Sequence, residues 1–243
     1  MTVMIGICAV ALINACSKSN NNTTVTPTGS SFVSVTNVSA STNAYSVYSD
    51  TSNIYRTGTL RYGSTTGISG GNPYETIVSG NHAIKLTNGV NNIIIDSNGT
   101  FANNGYYSYF VYDTGANIKT LRLNDNLTQP SSGSAKVRFL NLTPNSTAVN
   151  LWLINTDTTT KDSVQFANSG YLGSGLITAD SASTFKTVTA GTYKVVVNST
   201  LELNLFTMDS IALASGKIYT LYTKGYVNGL GVDSVGIGVI NNN

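Results

Sequence analysis

Residues 137–153 read VRFLNLTPNSTAVNLWL, and a fainter version of the same phrase, VSVTNVSASTNAYSVY, occupies residues 33–48. In both, apolar residues alternate with polar ones. The alternation breaks at a short polar stretch and then resumes, which is the period-2 pattern of two strands joined by a turn. Pro144, Asn145 and Ser146 supply the turn chemistry in the second version: proline presets φ and asparagine tolerates the left-handed region. Val33 and Val137 are 104 positions apart. The echo continues downstream, because GTYKVVVNS at 191–199 matches GNHAIKLTN at 80–88 with a spacing of 111. That register runs without a gap from Tyr74/Phe185 to Thr114/Gly225. It sets Ile77 against Val188, Ile84 against Val195, Leu86 against Val197, and Gly105 against Gly216. The rise from 104 to 111 places seven extra residues in the second copy, within 155–183. Both copies close alike, LRLNDN at 121–126 and IGVINN at 237–242, so the second copy is expected to be complete.

Composition agrees with a duplicated all-β chain. Of 243 residues only 10% are charged, whereas 41% are hydrophobic and Ser and Thr make up about a quarter. Charged helix formers are scarce and β-branched residues abundant. The expected architecture is two tandem antiparallel β-sandwiches, Ig-like or transthyretin-like, of about seven strands each. Sandwiches of about 100 residues each bury roughly 65% of their extended-chain surface, enough to fold without disulfides. Alternation assigns Val137, Phe139, Val149, Leu151, Leu153, Tyr193, Val195, Val197, Leu203 and Leu205 to the core of the second copy, with the strand 218–222 after them. The run LASGKIY at 213–219 has the form of a tyrosine corner, in which a Tyr hydroxyl returns to upstream backbone. The predicted division is a signal peptide over 1–15, a lipidated tether over 16–31, one sandwich over 32–128 and a second over 133–243. TQPSSGS at 128–134 forms the join.

The N-terminus points to a compartment. Residues 3–13 are an apolar run of secretory length, too short to span a bilayer. It ends at Ile13-Asn14-Ala15-Cys16, and polarity then changes abruptly to SKSNNNTT. An apolar residue, a small residue and a cysteine in that order resemble a bacterial lipobox. The resemblance implies cleavage before Cys16 and lipidation of its thiol, with Cys8 leaving in the discarded peptide. A short anchor helix carrying an incidental cysteine is the alternative. No Lys or Arg precedes the apolar run, which suggests a natural start slightly upstream. Ser, Thr and Asn dominate from 17 to 31, the composition of a flexible leash. The expected location is a bacterial outer membrane or cell surface, with the membrane contacted through the lipid alone. Net charge is only +2 and basic residues are scattered, which argues against nucleic acid as a partner.

A second resemblance rests on AKVRFLNLTP…AVNLWL, then AGTYKVVV, then LASGKIYTLY. Together these look like the family called domain of unknown function 4397, β-sandwich modules of bacterial secreted proteins and lipoproteins. The likeness is strongest over residues 135–222 and implies tandem modules outside the cytoplasm. It supplies no catalytic motif to carry over.

Few residues invite chemistry. His82 is the only histidine and Glu75 and Glu202 are the only glutamates. No nucleophile elbow, P-loop or HExxH is present, so neither a catalytic nor a metal site, nor any cofactor, is expected. His82 falls in the register place of Tyr193 and is expected to be a structural residue. Asp96-Ser97-Asn98-Gly99 begins like a calcium loop, lacks the terminal glutamate and reads as a turn. Tyr106, Tyr107, Tyr109, Phe110 and Tyr112 crowd one strand, so both of its faces carry rings. One face must be core and the other, if exposed, is a platform for a ligand; Tyr106, Tyr109 and Tyr112 are the candidate contacts, together with Trp152, the single tryptophan, which alternation points outward.

Aspartate placement is unusual. Eight of nine precede Ser or Thr, and five continue as Asp-[Ser/Thr]-[apolar or Thr], making Thr158, Ser163, Ser181, Ser210 and Ser234 candidate O-glycosylation sites of the kind found in Bacteroidetes envelope proteins. Favoured turn chemistry in a Ser/Thr-rich chain is the competing explanation. The functional expectation is a non-enzymatic envelope lipoprotein serving as a structural or adhesive module, with a protein or glycan ligand. Carbohydrate capture at a surface is the alternative.

Overall fold

The computed structural model describes residues 29–243 apart from 41–43, 57, 68–70, 90–91, 115–116, 158–161 and 175–178. Cys8, Cys16, the apolar run and most of the tether therefore lie outside the described residues.

Two β-sandwiches follow one another along the chain. The first holds β1 (Ser30–Asn37), β2 (Ser46–Ser49), β3 (Ser52–Asn53), β4 (Glu75–Val78), β5 (Gly80–Thr87), β6 (Ile93–Phe101), β7 (Tyr106–Tyr112) and β8 (Lys119–Asn124). The second holds β9 (Ser134–Leu140), β10 (Val149–Asn155), β11 (Ser163–Ser169), β12 (Lys186–Thr189), β13 (Gly191–Ser199), β14 (Asn204–Leu213), β15 (Ile218–Lys224) and β16 (Gly236–Asn241). Among the described residues each copy thus has eight strands, one more than its turns suggest. β1 starts two residues inside the expected tether.

The two copies share one topology. The first has sheets ordered β4-β1-β7-β8 and β3-β2-β5-β6; the second has β12-β9-β15-β16 and β11-β10-β13-β14. In each, the opening strand runs parallel to the seventh: β1 beside β7 and β9 beside β15. This differs from the ABED/CFG order of immunoglobulin domains, and the transthyretin-like alternative is the one adopted. Among the described residues neither copy lends a strand to the other's sheets. One core contains Val33, Val35, Tyr45, Val47, Ile77, Ile84, Leu86, Phe101, Tyr107 and Tyr109. The other contains Val137, Val149, Leu151, Leu153, Val188, Tyr193, Val195, Val197 and Leu221, with Phe139 and Leu205 packed against it. Leu203 was expected inside but is 64% exposed, because it lies in the turn between β13 and β14 and not within a strand.

Strand pairing corrects the register at three places. Tyr107 and Tyr219 occupy equivalent positions, opposite Val33 and Val137, a spacing of 112 rather than 111. The extra residue is a β-bulge on β14: Tyr193 pairs with Ile211 but Val195 with Met208, so Asp209 and Ser210 together oppose Lys194. Consequently Gly216 matches Asn104, not Gly105, and both sit in the left-handed region, at φ 78° and 58°. At the closing strand Leu123 opposes Ser108 and Ile240 opposes Thr220, so the equivalent pair is Leu123/Ile240 and the spacing 117. Finally, Asp96-Ser97-Asn98-Gly99 is no turn. It is the middle of β6, where Gly99 leaves room for the Arg122 guanidinium; a Cβ there would come within 2.4 Å of Nη1. Arg122 lies 4.6 Å above the Phe101 ring and 4.4 Å above the Tyr107 ring.

Both tyrosine corners form. The Ala214 N–H donates to the Tyr219 hydroxyl at 3.1 Å, and the Ala102 N–H donates to the Tyr107 hydroxyl at 2.8 Å.

Candidate functional site

Alternation predicts that the outward faces of β7 and β15 meet water, but they meet each other. Val38, Phe110, Tyr112 and Leu123 of the first sandwich pack with Leu140, Leu142, Leu172, Ala182, Tyr222 and Ile240 of the second. Phe110 contacts Tyr222 edge-on at 5.8 Å, and Tyr112 contacts Tyr171 at 6.2 Å. The second copy's insertion takes part. Its 3₁₀ turn (Leu172–Ser174) and its helix α1 (Ala179–Ala182) supply Leu172 and Ala182, and α1 packs on β8.

A charged centre sits within this apolar seam. Arg138 of β9 is 0% exposed, and its Nη1 lies 2.5 Å from Oδ1 of Asp125, whose side chain is likewise fully buried. Arg138 Nε donates to the Thr220 hydroxyl at 2.8 Å and Nη2 to the Ser108 hydroxyl at 3.1 Å. The Ser108 and Tyr74 hydroxyls donate to Asp125 Oδ2 at 2.6 and 2.7 Å. Asn242 closes the circuit: its amide donates to the Tyr74 hydroxyl at 2.9 Å and its carbonyl accepts from Thr220 at 2.8 Å. The Phe185 ring caps the guanidinium at 4.7 Å. By register Ser34, Ser108 and Asp125 of the first copy correspond to Arg138, Thr220 and Asn242 of the second. The duplication has placed arginine on one side and aspartate on the other. Burial, followed by the Asp125 carboxylate, pushes the Tyr74 phenol far above its ordinary value.

Above this network, where the ends of β8 and β16 meet the starts of β7 and β15, lies an open groove of about 790 Å³. Asn72, Asn104, Asn126 and Gln129 stand exposed around it, Tyr106, Asn241 and Asn243 are half-buried in its wall, and Tyr74, Asp125 and Asn242 form its floor. Asparagine-rich runs such as 103–104, 124–126 and 241–243 read as ordinary turn chemistry in sequence. Only the docking of the two copies gathers them in one place.

Of the aromatic candidates, Tyr109 is fully buried in the first core and Tyr112 is 6% exposed in the seam, so neither presents a ring to a ligand. The strand is packed on both faces. Tyr106 alone reaches a surface, in the groove wall, stacked on Phe32 at 4.6 Å and edge-on to Tyr74 at 5.1 Å. Trp152 is half-buried on the outer face of β10, between Gln165 and Val196, on the sheet opposite the seam.

His82 sits near one end of β5. Its Nδ1 is 2.6 Å from Asp50 Oδ2, whereas Nε2 is buried without a hydrogen-bond partner. Structural satisfaction is therefore met at one nitrogen only. The Ala83 N–H, then His82, holds the Asp50 carboxyl below the usual carboxylate range. Among the described residues no three His, Cys, Asp or Glu gather as a metal site, and no helix is long and apolar enough to cross a membrane.

The proposed modification sites are exposed where they are described. Ser163 opens β11, Ser181 lies in α1, Ser210 is on the β14 bulge and Ser234 follows a 3₁₀ turn. Thr158 and Cys16 fall outside the described residues.

The family model for the domain of unknown function DUF4397 matches residues 31–152, just over half of the chain. The match spans the first sandwich and enters the second through β9 and most of β10. It thus centres on the first copy, whose sequence resembles the family more faintly than residues 135–222 do. No curated protein matches the chain. Among solved structures, it is similar to a leucine-rich repeat protein from Bacteroides thetaiotaomicron, at 12% identity and a TM-score of 0.22, covering 82% of this chain and 26% of that one. It is also similar to a candidate adhesin from Bacteroides ovatus, at 8% identity and a TM-score of 0.18, covering 86% of this chain and 92% of that one. The chain therefore spans about a quarter of the first of these.

Proposed function

Given that the chain belongs to the DUF4397 family of domains of unknown function, we propose that it is a non-enzymatic interaction module of a bacterial cell envelope, tethered by lipid at Cys16. The observation that carries this reading is the fully desolvated Arg138–Asp125 pair at the centre of the seam. A buried pair with one member on each sandwich fixes their relative orientation, since separating them strands a charge in an apolar face. A rigid body of this kind transmits a docking contact from its far end to its tether without bending. Its hydroxyl- and amide-rich surface suits contact with neutral partners.

Two measurements test the reading. Labelled palmitate is expected to enter the wild-type protein, and Cys16→Ala is expected to lose both the label and membrane fractionation; an unlabelled, soluble wild-type protein contradicts the tether. Cells displaying the protein are expected to bind a surface or partner that cells displaying an empty anchor do not. Turnover of a substrate that is lost on replacing His82 or Asp50 would contradict the non-enzymatic part.

A further inference from the structure

We propose that the groove between the sandwiches is a binding site for a neutral saccharide, with Tyr106 as its ring contact and the surrounding amides as its hydroxyl readers. The proposal rests on the reading of the protein as a non-catalytic binding module and names the ligand class of the inter-sandwich face.

Three features of the groove point to this chemistry. Its volume, about 790 Å³, lies within the range of small-ligand sites. Asp125 in its floor is consumed by Arg138, Ser108 and Tyr74, and the charge left in its lining is the Lys217 ammonium, which donates to the Asn243 backbone oxygen at 2.8 Å. Most of the remaining polar side chains are primary amides, each offering two N–H donors and one carbonyl acceptor, a match for vicinal hydroxyls, which both donate and accept. Among the described residues, no hydrogen bond engages the side chains of Asn104 or Gln129, and the Asn72 and Asn126 carbonyls only cap their own turns, leaving both NH₂ groups unused. Tyr106 adds an aromatic surface held in place by Phe32 and Tyr74. The groove is rigid because its floor is the buried network itself, so little ordering cost is met on binding. Extended peptides are the less suitable class, since their side chains need apolar pockets and the lining offers Leu127 as its one large aliphatic residue.

The test uses the full chain against an array of short neutral oligosaccharides, with acidic oligosaccharides and uncharged peptides as separate arms. Asn104 already sits at φ 58°, so Asn104→Gly keeps the backbone while removing the amide, and Gln129→Ala removes a second unengaged amide. This double variant is expected to retain its melting temperature and to weaken binding of a neutral glycan at least about tenfold. Tyr106→Ala is expected to weaken binding by a similar factor, and Trp152→Ala to leave affinity unchanged. Binding of no neutral glycan, preference for an acidic glycan or a peptide, or loss of binding through Trp152 but not through the groove would each overturn the proposal. Cell binding and Cys16-dependent fractionation are read separately, so a failed glycan screen beside successful surface binding rejects the ligand class and leaves the envelope reading standing.

Discussion

Arg138 lies in the stretch on which the fold reading depends, yet alternation gives it the wrong environment. Val137 and Phe139 face inward, so Arg138 should face water; it faces outward from its own sandwich and into the other, at 0% exposure. Period-2 patterning reports which face of a strand a residue takes but not whether that face is covered. A desolvated guanidinium persists only when charge and hydrogen bonds compensate it, and Asp125, Thr220 and Ser108 do so. Arg138→Met should therefore cost about 3–5 kcal/mol, because Asp125 is then buried without its partner. Asp125→Leu in the Arg138→Met background should recover part of that loss, with a coupling of about 2–3 kcal/mol in urea melts of the four proteins. Additive effects would mean that the pair does not hold the seam.

The strands and turns were largely legible in the sequence, and the misplacements have definite causes. Alternating runs located the cores of both copies, and LASGKIY announced its corner. Replacing Tyr219 or Tyr107 by Phe removes the acceptor for the Ala214 or Ala102 N–H, and each change should cost about 1 kcal/mol of stability, read as a lower urea midpoint at unchanged m. An unchanged midpoint would show that water serves these amides equally well. What sequence matching could not see was the bulge at Asp209–Ser210, since a single extra residue leaves apolar spacing intact on either side of it. Asp-Ser-Asn-Gly in β6 misled for a different reason: its residue types favour turns, but Gly99 is there to admit Arg122. The Arg122 guanidinium, donating to the Thr100 carbonyl and stacked on the Phe101 and Tyr107 rings, then holds that strand against β7 and β8.

At the scale of the molecule, the duplication was legible and the union of its halves was not. The only available hint was YYSYFVY, a strand with rings on both faces, which indicates burial on both sides. An exposed platform was the other interpretation, and the second sandwich occupies that place. Buried phenols make the union sensitive to alkali. Burial holds Tyr74 and Tyr222 above their ordinary value of 10.0, and Tyr62 is pushed up to about 12. The folded state thus keeps these protons more tightly than the unfolded chain does. Stability from this source is fully present below pH 10 and falls as pH rises beyond it. Melts at about pH 8 and pH 10.5 should show that loss, and Tyr74→Phe should make it less steep. A flat profile contradicts the burial of these groups.

The central claim, that two complete sandwiches are joined into one body through a buried ionic seam, is tested most directly by calorimetric unfolding of the whole chain. One transition is predicted, with calorimetric and van't Hoff enthalpies in agreement. Two separate transitions, each carrying about half of the heat, would show that the halves unfold independently and would contradict it.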